Sequence, residues 1–255
     1  MKRFFYILFF FLSSQTMQAQ TTIIAHRGSS FAAPENTVAA AKLAWEQGAD
    51  AVELDIYLSK DNRVVVMHDS NTKRTTGQSY PISETSSEVL RTLDAGLWKN
   101  EQYKGEKIPF LEEMIVTVPS NKKMVIEIKC GIEVLPVLQQ VVNSCGKKDR
   151  LIFIAFGWET ILATKQLFPS NACYWLSSSA AEVSAKMSEA AQKGLNGINL
   201  NNKIIDQEMV KKAKELGLEV LSWTVDDPEE AKRLIQLGVT GITTNRPDLI
   251  RQSIQ

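Results

Sequence analysis

Residues 197–244 read GINLNNKIIDQEMVKKAKELGLEVLSWTVDDPEEAKRLIQLGVTGITT. Three short strand-like runs, Gly197–Leu200, Glu219–Val225 and Gly241–Thr244, alternate with two longer stretches of helical periodicity. Asp206 is placed to cap the first helix and Gly217 to stop it. Asp227-Pro228 opens the second helix, which stops near Gly238. Strand, helix, strand, helix, strand in one continuous stretch implies a parallel sheet whose crossovers are helices.

The same rhythm runs outward from this stretch. Further strands rich in Val and Ile are predicted at Ile23–Ala25, Ala51–Tyr57, Val64–Met67, Met124–Lys129, Leu151–Phe156 and Ala172–Leu176. Asn36 to Gln47 has the pattern of a helix, with Asn36 as its N-cap and Gly48 past its end. About eight such units in a chain of 255 residues match the scale of a (β/α)₈ TIM barrel. A doubly wound open sheet is the alternative, weakened because no Gly-x-Gly-x-x-Gly follows the first strand.

Nine strands are one more than the barrel needs. The extra one starts at Val64, with only Leu58 to Arg63 between it and the preceding strand. That is too short for a parallel crossover, so the link is a hairpin or an irregular barrel corner. A hairpin turning at Lys60–Arg63 would set Glu53 opposite His68. Residues 70–110 then break the rhythm with Ser, Thr, Gly and Pro. They are expected to form a small insertion after the His68 strand, lying over the barrel mouth, with one short helix near Ser87–Leu93.

Lys and Arg total 29, and so do Asp and Glu, so the net charge is zero. This balance argues against a nucleic-acid partner. Lys2-Arg3, the apolar run Phe4–Leu12 and the small polar residues up to Ala19-Gln20 have the layout of a secretory signal peptide. The apolar run is shorter than the roughly 20 residues a bilayer requires, so no stable membrane anchor is expected. Residues 1–19 are therefore predicted to be removed near Ala19. The exported domain, periplasmic or secreted, is then 20–255. Cys130, Cys145 and Cys173 match no zinc spacing and are expected to remain separate thiols.

The chemistry concentrates at strand ends. In Ala51-Val52-Glu53-Leu54-Asp55-Ile56, period-two alternation puts Val52, Leu54 and Ile56 on one face and Glu53 with Asp55 on the other. The apolar face must pack under helices, so the carboxylates point into the barrel. Two adjacent ionised carboxylates in a partly dry site need compensation, and a divalent cation supplies it. The strand Met124–Lys129 offers Glu127 as a third oxygen ligand, and the set suits Ca²⁺ or Mg²⁺. Lys129 is placed to hold a phosphate oxygen or to pair with Glu127.

The only two histidines, His26 and His68, both end apolar strands, where barrel active sites are built. Histidine carries protons near neutral pH. Arg27 suits a bidentate grip on phosphate, and Gly28 permits a sharp turn. Glu35 is placed either as a helix-dipole partner or to orient Arg27 or His26.

Taken together, His26-Arg27-Gly28, Pro34-Glu35-Asn36-Thr37, Glu53-Leu54-Asp55, His68-Asp69 and Glu127-Ile128-Lys129 resemble the glycerophosphodiester phosphodiesterase family. Their order and spacing agree with it. So do Ile108-Pro109-Phe110-Leu111-Glu112-Glu113, Ser222-Trp223-Thr224-Val225 and Gly241–Pro247. The resemblance runs from Ile23 to Leu249. It implies a TIM barrel and metal-dependent release of sn-glycerol 3-phosphate and an alcohol from a small glycerophosphodiester. It implies His26 and His68 as the acid/base pair, and Glu53, Asp55 and Glu127 as holders of Ca²⁺ or Mg²⁺. Arg27 matches the phosphate binder, Glu35 and Lys129 further polar residues of the site, and Trp223 an aromatic of its wall. Two positions depart from the family pattern. Ala155-Phe156 stands where Ser-Phe is common, and Asn245 where the family usually has Asp.

Two other functions fit parts of this pattern. Phe31, Leu97 and Trp98 offer an apolar rim suited to a lysophospholipid substrate. A non-catalytic phosphate-binding barrel would be expected to lack a histidine or a carboxylate, and all five are present.

Overall fold

The computed structural model describes residues 21–254. The proposed signal peptide lies outside them. Among the described residues nine strands form: β1 (Thr22–Ala25), β2 (Ala51–Leu58), β3 (Val64–Val66), β4 (Lys123–Ile128), β5 (Leu151–Ala155), β6 (Ala172–Ser177), β7 (Gly197–Asn201), β8 (Glu219–Trp223) and β9 (Gly241–Thr244). All nine fall where the periodicity predicts them. Neighbours pair in the order β1-β9-β8-β7-β6-β5-β4-β2, all parallel, and β1 pairs with β2 to close the ring. This is an eight-stranded TIM barrel.

The barrel strands are buried on both faces. Val52, Leu54 and Ile56 face outward into the layer shared with Ala41 and Ala44 of the helix Val38–Glu46. Ile24, Ala51, Val125, Ile154, Tyr174, Leu176 and Leu221 fill the interior. Period-two alternation therefore sorts each strand into a helix-facing and a barrel-filling set. The caps at Asp206 and Asp227 form as predicted, their side chains accepting from the Met209 and Glu229 N–H groups. Gly238 closes the second of these helices with a left-handed φ of 102°.

The extra strand β3 is a hairpin arm. It pairs antiparallel with β2, outside the ring, with Ile56 opposite Val66 and Leu58 opposite Val64. The Met67 N–H continues this pairing to the Asp55 carbonyl at 3.0 Å. Glu53 is therefore not opposite His68: this register, continued, sets Leu54 there, and a four-residue loop Lys60–Arg63 would set Asp55 there. The loop has three residues, Lys60 to Asn62, rather than four. Ser59 N–H donates to Arg63 O, and Asn62 takes a left-handed φ of 60°. A turn followed by one left-handed residue is a common three-residue hairpin loop, and it shifts the pairing by one.

The insertion carries more local structure than the single helix expected. Short helices span Lys73–Thr76 and Ser87–Leu90, with single 3₁₀ turns at Ile82–Glu84 and Glu101–Tyr103. Its apolar residues Ile82, Leu90, Leu93, Ala95 and Ile108 pack on Val65 and Met67 as a small separate core. All three cysteines are free. No helix among the described residues is long and apolar enough to cross a membrane.

Candidate active site

The C-terminal ends of the strands frame one cavity of about 180 Å³. His26, Arg27, Glu53, His68, Glu127, Lys129 and Trp223 line it, so residues far apart in sequence meet there. Lining also comes from Ile154, Phe156, Leu176, Asn199 and Thr243.

Glu53, Asp55 and Glu127 each place a carboxylate oxygen within 4.8 Å of the others, and all three residues are buried. Adjacent strands explain this: β2 and β4 pair Asp55 with Glu127, and Glu53 lies two residues before Asp55 on the same face. Two of these carboxylates are anchored through one oxygen. Glu53 Oε2 accepts from the Arg27 backbone N–H at 2.9 Å, and Asp55 Oδ2 accepts from Asn36 Nδ2 at 2.8 Å. Their other oxygens, Glu53 Oε1 and Asp55 Oδ1, are buried without a hydrogen-bond donor. A buried unsatisfied carboxylate oxygen is costly, and an oxygen-seeking divalent cation satisfies it. The residues present fit such an ion.

The electrostatics agree. Burial, and then the neighbouring charges of Asp55 and Glu127, raise the Glu53 carboxyl well above its ordinary range. Burial and Asp55 push Glu127 up to about 7. Arg27 opposes this rise at both carboxyls and Lys129 at Glu127, yet both stay raised, so three ionised carboxylates in this volume call for a further cation.

Lys129 Nζ lies 2.8 Å from Glu127 Oε1 and 3.7 Å from Asp55 Oδ1. It makes the predicted ion pair and still faces the cavity. Arg27 sits in the left-handed region at φ 55°, an unusual place for a residue with a side chain. That backbone turn aims its N–H at Glu53. Gly28 follows at φ 82°, where an added Cβ would come within 2.6 Å of Ala40. Only glycine fits there.

Glu35 meets Arg27 rather than the helix start. Its Oε1 accepts from Arg27 Nη1 at 2.9 Å. Burial raises the Glu35 carboxyl, but hydrogen bonds from Arg74 and the charge of Arg27 outweigh it and hold it below its usual range. Trp223 stands in the wall, edge-on to Phe156 at 5.4 Å between centroids, with Nε1 donating to Asn199 O.

Three side chains that complete the site had no signal in the spacing. Asn36 does not cap its helix; Thr37 does, accepting from Ala40 N–H. Asn36 instead takes a left-handed φ of 58°, accepts from the Asp55 N–H through Oδ1 and holds the Asp55 carboxylate through Nδ2. Asn245 contacts His26, with 2.7 Å between Oδ1 and Nδ1. Arg74, from the insertion, donates through Nε to Asp69 Oδ2 at 2.7 Å and through Nη1 and Nη2 to both oxygens of Glu35. Asp69 in turn holds His68 Nδ1 at 2.8 Å.

Arg74 therefore ties the His68 arm to the Arg27 arm. Replacing it with alanine is expected to lower turnover by about 10–100-fold, the usual cost of losing an outer partner. Lysine should recover only part, because a compact ammonium cannot reproduce the planar guanidinium fork that bonds both carboxylates at three points. Steady-state kinetics of Arg74→Ala and Arg74→Lys check this, and unchanged turnover in both would refute it.

The chain that builds this pocket is similar to known proteins over nearly all of its described length. The family model described as the glycerophosphoryl diester phosphodiesterase family matches residues 26–249. A glycerophosphodiester phosphodiesterase of Caldanaerobacter subterraneus is 33% identical over 237 residues, covering 91% of this chain and 96% of that protein. One from Bacillus subtilis is 31% identical over 250 residues, covering 90% and 85%. The structure of an Oleispira antarctica phosphodiesterase in complex with the product sn-glycerol-3-phosphate aligns with a TM-score of 0.87 at 31% identity, covering 92% of this chain and 97% of that one. The match begins at His26 and takes in β2 to β9 and every side chain that lines the cavity, and on that ground the chain belongs to the glycerophosphoryl diester phosphodiesterase family.

Proposed function

We propose that this chain hydrolyses glycerophosphodiesters to sn-glycerol 3-phosphate and an alcohol, with His26 and His68 as the acid/base pair. The observation that carries this reading is the convergence of both histidines, Arg27, Lys129 and the Glu53–Asp55–Glu127 triad on one cavity. The cavity is smaller than the roughly 300–1,000 Å³ typical of drug-sized ligands, which suits a small polar diester.

Glu53, Asp55 and Glu127 would hold Ca²⁺ or Mg²⁺. Such an ion neutralises charge on a phosphoryl oxygen and polarises the phosphorus. Arg27 and Lys129 bind the remaining phosphate oxygens. One histidine takes the proton of the glycerol 2-hydroxyl as its oxygen attacks phosphorus. The other gives a proton to the departing alcohol. Water then opens the cyclic phosphate with the two roles reversed. Trp223 and Phe156 form the apolar wall against which the glycerol carbons rest.

A panel of glycerophosphodiesters, assayed for glycerol 3-phosphate release with and without chelator, tests the reading. Metal-dependent release supports it. Binding without turnover would identify a phosphate-binding barrel instead. A lysophospholipid reading has one observation behind it: Phe31, Leu97 and Trp98 are exposed, and the backbone N–H of Phe31 bonds the Asn245 carbonyl at the site's edge. Faster turnover of a lysolipid than of glycerophosphocholine would favour it. Export after cleavage near Ala19 is part of the proposal, supported by Lys2-Arg3 and the apolar run Phe4–Leu12.

A further inference from the structure

The two histidines differ in what holds them. His68 Nδ1 faces a carboxylate, Asp69 Oδ1, at 2.8 Å. His26 Nδ1 faces a neutral amide, Asn245 Oδ1, at 2.7 Å. That amide is itself fixed. Asn245 Nδ2 donates to Asp226 Oδ2 at 2.6 Å, while Asp226 Oδ1 accepts from the Asn245 backbone N–H at 2.8 Å and from Thr244 Oγ1 at 2.9 Å. Ser30 Oγ donates to Asn245 Oδ1 at 2.8 Å.

This chain of bonds has one consistent polarity. A carboxylate whose oxygens take three donors is an acceptor throughout. The amide group facing Asp226 must therefore be the NH₂, so the amide oxygen faces His26. An oxygen cannot donate, so His26 Nδ1 carries the hydrogen. In the neutral ring Nε2 is then the unprotonated nitrogen.

We propose that the Asp226–Asn245 pair presents His26 to the cavity as a neutral Nε2 base, and that His68, backed by the Asp69 carboxylate, is the acid of the first step. This assignment rests on the phosphodiesterase reading above. In the first step the glycerol 2-oxygen loses its proton to His26 Nε2 and bonds to phosphorus. The bond from phosphorus to the head-group oxygen breaks, and that oxygen takes the proton of His68 Nε2. In the second step water bonds to phosphorus and passes its proton to His68. The bond to the 2-oxygen breaks and His26 returns its proton there. Both histidines end as they began.

The surroundings agree with these roles. Burial, and then the charge of Arg27, lower His26 to about 4, while Asn245, Asp55 and Glu35 oppose this only partly. The other charged groups facing the cavity are Glu53 on β2 and Glu127 and Lys129 on β4. An amide supports an imidazolium less than a carboxylate does, because an opposite charge at this range moves a pKa by about 1–3 units. Asn245 thus keeps His26 neutral, with Nε2 unprotonated, where a carboxylate would attract a second proton.

The test exchanges the pair. The double variant Asp226→Asn, Asn245→Asp keeps the net charge and the number of bonding groups but moves the carboxylate one hydrogen bond closer to His26, into direct contact with Nδ1. A base must be neutral to act, so raising its proton affinity moves the acid limb of kcat/KM to higher pH. In the Mg²⁺-loaded protein acting on glycerophosphocholine, that limb should rise by about one pH unit or more, with the alkaline limb in place. Movement of the alkaline limb, or of neither, overturns the assignment. Ring ¹⁵N spectra of the metal-loaded wild-type protein give a second reading without turnover. With only two histidines, the His68→Ala variant assigns the signals. His26 should show a protonated Nδ1 and an unprotonated Nε2 at pH 7, and the reverse overturns the proposal even if the exchanged variant does not fold. Failure of the substrate panel, by contrast, would strike the phosphodiesterase reading and leave the tautomer intact.

Discussion

Alanine in place of either His26 or His68 should lower kcat on glycerophosphocholine by about 10²–10⁴-fold, the ordinary worth of positioned general acid–base help. Both rings line the same cavity and each is held through Nδ1, leaving Nε2 as the nitrogen for the substrate side. The two losses should not add in His26→Ala, His68→Ala, because each residue serves the same proton transfers in opposite senses. KM should move far less than kcat, since phosphate binding stays with Arg27 and Lys129. Single-turnover and steady-state rates on the three variants measure this. Near-normal kcat in either single variant would remove that histidine from the chemistry.

Removing the divalent ion should be comparably severe, and it should change stability in a direction specific to this site. A Lewis acid on a phosphoryl oxygen lowers the barrier by several kcal/mol, so chelation should cost on the order of 10³ in rate. Metal at about 100 times its Kd adds about 2.7 kcal/mol of stability, which in a domain of this size is a rise of roughly 5–10 °C in Tm. Glu53→Gln should have the opposite effect on the metal-free protein. It removes one of three crowded carboxylates, the one that burial and its neighbours push furthest up, while Oε1 of the new amide can still accept from the Arg27 N–H. Its metal-free Tm at pH 7.5 should therefore exceed that of the wild type, and added Mg²⁺ or Ca²⁺ should no longer raise it appreciably. Calorimetric scans of both proteins with and without metal decide the matter. A metal-free Glu53→Gln protein less stable than wild type would show that the triad is stabilised some other way.

Much of the site could be read before folding. Glu53 and Asp55 share a strand face because side chains alternate with a period of two, and Val52, Leu54 and Ile56 show which face is buried under helices. The same rule carries Glu127 and Lys129. His26 ends a strand of the parallel ring, at the end where such strands converge, whereas His68 reaches the same cavity on the antiparallel arm β3. What escaped this reading has a common cause. Asn36 reaches Asp55 across 19 residues, Arg74 reaches Glu35 across 39, and Asn245 reaches His26 across 219. No local period links such pairs. Asn36 was also open to a simpler reading, because asparagine near a helix start commonly caps it.

The sequence by itself determined the order and kind of the barrel's elements, the faces its carboxylates occupy and the end of the barrel where chemistry gathers, because these follow from local periodicity and short-range caps. Only the tertiary structure decided that β3 returns as a hairpin arm one residue out of the expected register, that Arg74 joins the two arms of the site, and that an amide rather than a carboxylate holds His26. Those outcomes depend on loop geometry and on contacts between distant segments, which become definite only when the barrel closes.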